Sequence, residues 1–154
     1  MEKAQKFAEK TLIEAKLLKK NEFISEAKAK GEHFVFTFSP SYEGIKVMDS
    51  CMWVEVGPSG IVKIAGHNYL CDTAAGGERV ALCPYTDILT NFAVSHPPVD
   101  NEIDQIKQIE FGYHLGNRSG EILTVTAIPT YAITTMHGTH YYDARNSNLL
   151  ENHN

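Results

Sequence analysis

The chain has 154 residues, 43% hydrophobic, 10% aromatic and 21% charged, a globular composition that fits one domain or two small lobes and argues against a disordered chain. The formal charge is −5 and the Lys residues gather largely in the first thirty positions, so no basic stripe suited to a phosphate backbone runs through the rest, and nucleic acid is not an expected partner. No apolar run approaches the roughly 18 residues of a membrane span, and Met1-Glu2-Lys3-Ala4 lacks the apolar stretch of a signal peptide, so these residues are expected to be soluble.

Residues 2–30 are rich in Ala, Lys and Glu, and Phe7, Leu12, Ile13, Leu17 and Leu18 recur at the spacing of one helical face. A helix with one buried stripe is predicted. Asn21 is a candidate break, Phe23-Ile24 a candidate continuation, and Gly31 a stop, because glycine takes the left-handed cap at least cost. The period then changes to two. His33 to Phe38 is aromatic and β-branched and predicts a strand closed by Ser39-Pro40; Gly44–Asp49 predicts a second and Met52–Val56 a third. Gly57-Pro58-Ser59-Gly60 is a turn into a fourth strand over Ile61–Ile64.

The small, polar run Ala74-Ala75-Gly76-Gly77-Glu78 reads as a connector. Beyond it, Pro84 stands before Tyr85, Ile88, Leu89 and Phe92, whose spacing predicts a short amphipathic helix ended by His96-Pro97-Pro98. Strands are predicted over Ile103–Leu115, Glu121–Ile128, Tyr131–Met136 and Thr139–Asp143, with turns at residues 116–120 and at His137-Gly138. Each half is thus a helix followed by strands. The expected architecture is α+β: a first lobe over 1–70, a connector over 71–83 and a second lobe over 84–154, each a helix packed on an antiparallel β-meander in one module.

Particular segments carry a family resemblance across nearly the whole chain. Ile109-Glu110-Phe111-Gly112-Tyr113, Ile128-Pro129-Thr130-Tyr131 and Gly138-Thr139-His140-Tyr141-Tyr142-Asp143-Ala144 resemble, in order, the closing strands of YycI proteins. Phe34-Val35-Phe36, Tyr42-Glu43-Gly44-Ile45, Met48-Asp49-Ser50 and Val54-Glu55-Val56 match that family's first half. PepSY-type domains, including the YpeB group, share much of the pattern. The YycI/YycH resemblance implies a non-enzymatic extracytoplasmic domain, without cofactor, held by an amino-terminal membrane anchor and restraining a WalK-type sensor kinase beside a sister regulator. The PepSY/YpeB resemblance implies instead a peptidase or a cell-wall lytic enzyme as partner.

Several residues are of types that can carry chemistry. His137, His140 and Asp143 are metal-ligand types, but strand alternation sends His140 and Asp143 to opposite faces, so no metal site is expected. His67 with Cys71 has no nucleophile signature around it. Gly76-Gly77 lacks the Lys and hydroxyl residue of a phosphate cradle, and Asp49, Glu55, Asp87, Asp100, Glu102 and Asp104 form no calcium loop. Asn117-Arg118-Ser119 marks an exposed hairpin. Tyr113, Tyr131, Tyr141 and Tyr142 are the candidate partner-binding face, with sheet core the competing reading for half of these aromatics. The three cysteines permit one intrachain bridge, and Cys71 and Cys83, which bracket the connector, are the candidate pair in an oxidising exterior.

Overall fold

In the computed structural model, which describes residues 1–67, 79–97, 105–115 and 126–150, the Ala/Lys/Glu-rich start forms a helix, α1, over Glu2–Glu14. Lys16 stops it. At φ 57° Lys16 takes the left-handed position of a Schellman cap, its N–H donating to the Ile13 carbonyl (3.0 Å) and the Leu17 N–H to the Leu12 carbonyl (2.8 Å). Asn21, at φ 64°, is a second left-handed residue before β1, Phe23–Lys30. The expected helix through to Gly31 is therefore corrected to a helix and a strand. Gly31 does adopt φ 61°, but in the two-residue turn between Lys30 and His33, at the position where a type II′ hairpin asks for glycine. A helix cap and this hairpin demand the same conformational freedom.

The first sheet is built around β2, His33–Tyr42. It is flanked on one side by β1 and on the other by β4, Cys51–Gly57, which pairs in turn with β5, Gly60–His67. The two-residue β3, Ile45–Lys46, lies beside the end of β2, and all pairings are antiparallel. Only this short piece of the strand expected over 44–49 forms, because Glu43 (φ 50°) and Gly44 (φ 80°) are spent on the turn from Tyr42 to Ile45.

Ser39-Pro40 does not close β2 as expected. Ser41 N–H donates toward β1, to the Glu22 carbonyl (2.9 Å), so the Pro40 nitrogen faces the other way, past the last β4 pair at Phe38↔Met52. No ladder donor is required there, and the Pro40 carbonyl accepts from Val47 N–H (2.8 Å).

Alternation then sorts the faces. Phe36 and Phe38 of β2 and Met52, Val54 and Val56 of β4 share one face and are buried with Ala8 and Leu12 of α1, plus Leu18. Each of these side chains larger than alanine contributes about 1.5–3 kcal/mol by leaving water. Phe23 closes edge-on against Phe38, with 5.6 Å between ring centroids, and Gln5 Nε2 donates to Ser25 Oγ (2.9 Å), linking the helix to β1 on the same face.

The second unit begins its regular structure at α2, Tyr85–Ser95, with Pro84 at the cap position and His96 ending the helix, as the sequence predicts. Ile88 and Phe92 pack on Ile133 and Tyr142. These last two belong to an antiparallel sheet of β6 (Gln108–Leu115), β7 (Ala127–Thr134) and β8 (Thr139–Asp143), in that order.

Pro129 lies inside β7, one step beyond the final β8 pair, Thr130↔Asp143. Its carbonyl accepts Ala144 N–H (2.8 Å), but it has no amide proton to return. The Ala144 carbonyl accepts Cys83 N–H instead (2.7 Å), which ties the segment ahead of α2 to the sheet.

The architecture is α+β in two lobes, and the chain divides into the units Met1–Ala75 and Gly76–Asn154. Among the described residues the first unit has one helix and five strands, the second one helix and three.

Candidate interaction surface

The four tyrosines do not make one surface. Tyr113, Tyr131 and Tyr142 lie on a single face of the second sheet, the face that packs on α2, with Tyr131 opposite Tyr142 and Tyr113 opposite Pro129, whereas Tyr141 alternates to the opposite face and stacks on His114 with 5.1 Å between ring centroids. Tyr142 is 0% exposed and belongs to the core, so its place in an exposed binding face is corrected. Burial pushes its phenol pKa above the ordinary value. Tyr113, Tyr131 and Tyr141 are half-buried.

The ligand-type residues also separate. His137 is exposed in the β7–β8 turn, while His140 lies against α2, edge-on to His96 (4.1 Å between centroids) and to Phe92 (5.8 Å). Asp143 is on the other face of β8, 3% exposed, and is gripped by Arg145. Nε and Nη2 donate to its two oxygens, the shortest contact 2.6 Å, and the Arg145 N–H donates to Oδ1 (2.8 Å). These bonds hold the Asp143 carboxyl below the usual carboxylate range, the Arg145 side chain first among the causes.

The role of that pair is to fold a turn. Ser147, at φ 58°, returns its N–H to the Asp143 carbonyl (2.8 Å), and Asn91 of α2 donates to both the carbonyl (3.0 Å) and the hydroxyl (2.6 Å) of Ser147. Among the described residues no group of three His, Cys, Asp or Glu side chains is placed to hold a metal ion.

Cys51 and Cys83 are free, half-buried thiols. Cys71 lies outside the described residues, and with it the Cys71–Cys83 bridge and the His67–Cys71 pair; so do Gly76-Gly77, Asp100, Glu102, Asp104 and Asn117-Arg118-Ser119. His67 Nε2–H donates to the Asp49 carbonyl (2.7 Å).

A different surface, absent from the sequence reading, is the face of the first sheet turned away from α1. β1 places Glu26, Lys28 and Lys30 there, opposite Thr37, Val35 and His33 of β2. β4 adds Trp53 and Glu55, opposite Ala65 and Lys63 of β5. Lys63 Nζ stands 4.9 Å from the Trp53 ring centre, a cation–π contact. His33 Nδ1 is 2.7 Å from Glu55 Oε1, Lys30 Nζ is 3.8 Å from the same oxygen, and Lys46 Nζ is 3.2 Å from Glu26 Oε1. The His33 hydrogen bond, more than the nearby Lys charges, lowers the Glu55 pKa. The alternation in Lys28-Ala29-Lys30 and Trp53-Val54-Glu55 is the signal that points to this face, and it is masked when residues 23–30 are taken as helix.

No family model and no curated protein matches the chain. Among solved structures it is similar to the Bacillus megaterium YpeB C-terminal domain, with a TM-score of 0.52 and 11% identity, over 98% of this chain and 65% of that one. At that identity the likeness is one of fold.

Proposed function

We propose that this chain is a non-enzymatic regulatory domain of the PepSY/YpeB kind that acts outside the cytoplasmic membrane by docking on a peptidase or a cell-wall lytic enzyme. The supporting observation is the fold, shared along 98% of the chain with the YpeB C-terminal domain. The chain spans 65% of that domain's length, so the partner is part of the proposal. The polar groups of the second unit fit this reading. Asp143, Arg145, Asn91 and Ser147 are spent on holding a turn and a helix, and His140 faces α2. The mechanism is restraint or delivery through a noncovalent interface, with an amino-terminal anchor in the full-length protein setting its location. The motifs around Gly112-Tyr113 and Pro129 support the YycI/YycH reading as the second one, in which a sensor kinase or sister regulator is bound.

The test is affinity capture from a Gram-positive envelope extract with the domain as bait, followed by mass spectrometry. A peptidase or lytic enzyme that binds again when purified is the expected result. A sensor kinase or sister regulator doing so moves the assignment to the YycI/YycH side, and hydrolytic turnover by the isolated domain overturns the docking mechanism altogether.

A further inference from the structure

We infer that the open face of the first sheet is the docking surface, and that its occupant is an acidic, extended segment of a partner protein laid across Trp53. The inference rests on the docking reading of the domain and adds the surface and the chemistry of what it takes.

Charge is the first argument. Among the described strand residues, Lys28, Lys30, Lys46 and Lys63 stand on this face with His33, against two carboxylates, Glu26 and Glu55. Both carboxylates are already engaged, Glu26 by Lys46 and Glu55 by His33 and Lys30. Lys28 and Lys63 remain exposed, and Lys30 is 71% exposed in its side chain. A positive surface therefore persists on a protein whose formal charge is −5, and it complements an acidic ligand.

Shape and polarity narrow the class. In register across four strands, Lys28, Val35, Glu55 and Lys63 form one row, and Glu26, Thr37, Trp53 and Ala65 the next. Three strand spacings of about 4.8 Å separate the outer lysines of the first row, which is the reach of a few extended residues. Between the cations lie half-buried Val35, Thr37 and Trp53 beside the ion-paired Glu55, and the Val35 side chain and the indole are apolar surface that a peptide's side chains can cover. A long polyanion would gain nothing from that strip and would meet the negative charge of the whole protein. α1 covers only the opposite face, so the occupant would give this sheet a second layer.

Trp53 is the single tryptophan, so its fluorescence reports on this face alone. The experiment titrates the intact protein with a Glu/Asp-rich peptide, a Lys-rich peptide of equal length, and inorganic polyphosphate. A saturable change in Trp53 emission with the acidic peptide only, weakening as salt rises, is the expected result. Lys28→Glu with Lys63→Glu should weaken it by about tenfold or more with the circular dichroism spectrum of the folded protein retained, since both side chains are exposed, while Lys107→Glu in the second unit leaves it intact. No response to the acidic peptide, or an equal response in the Lys28→Glu/Lys63→Glu variant, overturns the inference; a response to polyphosphate alone overturns the protein-segment assignment. If the doubly substituted protein still captures a partner from envelope extract, the docking reading stands and this surface is the wrong one.

Discussion

Lys16 is a residue whose chemistry runs against its position. A side chain at φ 57° costs about 1–2 kcal/mol, and the helix accepts that because the cap bonds from Lys16 and Leu17 satisfy two terminal carbonyls. Lys16→Gly relieves the strain and gives back part of it as unfolded-chain entropy, so thermal unfolding should show a gain of about 0.5–1 kcal/mol. Asp143 is the opposite case, a buried carboxylate whose partners hold its pKa down. The unfolded chain therefore binds that proton more readily. The stability it contributes is complete above the ordinary carboxylate range and is lost as pH falls through the lower folded value. Glu55 acts in the same direction through His33. Urea midpoints should drop as pH falls through and below the ordinary carboxylate range, and Asp143→Asn should reduce the drop while costing about 1–2 kcal/mol at neutral pH, the partial exposure of Arg145 limiting the loss.

At the scale of elements, two prolines show how a sheet absorbs a residue that lacks a donor. Pro40 sits two residues beyond the last pair with β4 and Pro129 one beyond the last pair with β8, and each carbonyl still accepts one bond from a turning chain. At Pro129 the unmet acceptor on Ala144 is taken by Cys83, a residue outside regular structure. Amide exchange at Cys83 should accordingly be slower than at Ala81 and Leu82 by about tenfold or more, measurable by NMR, and equal exchange at the three positions contradicts this tie. Proline is a strong breaker signal in a sequence, yet whether it ends a strand depends on where the neighbouring strand stops. That depends on register, which no local window contains.

For the molecule as a whole, each unit carries its own apolar cluster. The first draws on residues from Ala4 to Ile61, all within Met1–Ala75. That fragment alone is expected to give a helix-plus-strand circular dichroism spectrum and a cooperative melt, and Leu12→Ala within it should cost about 2–5 kcal/mol, because Leu12 is wholly buried between α1 and the sheet. A fragment that stays unfolded would show that the cluster is not sufficient.

Local chemistry by itself determined the α+β class, the helix entered through Pro84 and left at His96, the hairpin at Gly57–Gly60, and the alternation of β2, β4 and β8 that separates His140 from Asp143. Those features depend on backbone conformation and on a period of two or 3.6, both of which are written in consecutive residues. Tertiary structure decided the rest. Residues 26–30 of β1 are all helix formers, but the eight registered partners of β1 on β2 outweigh propensity differences of less than about 1 kcal/mol per residue. Tyr142 went to the core and Tyr141 to the other face because only one side of the second sheet meets α2. The charged face around Trp53 exists only once β1, β2, β4 and β5 lie side by side, since its residues are brought together by hydrogen-bonded pairing between strands distant in sequence.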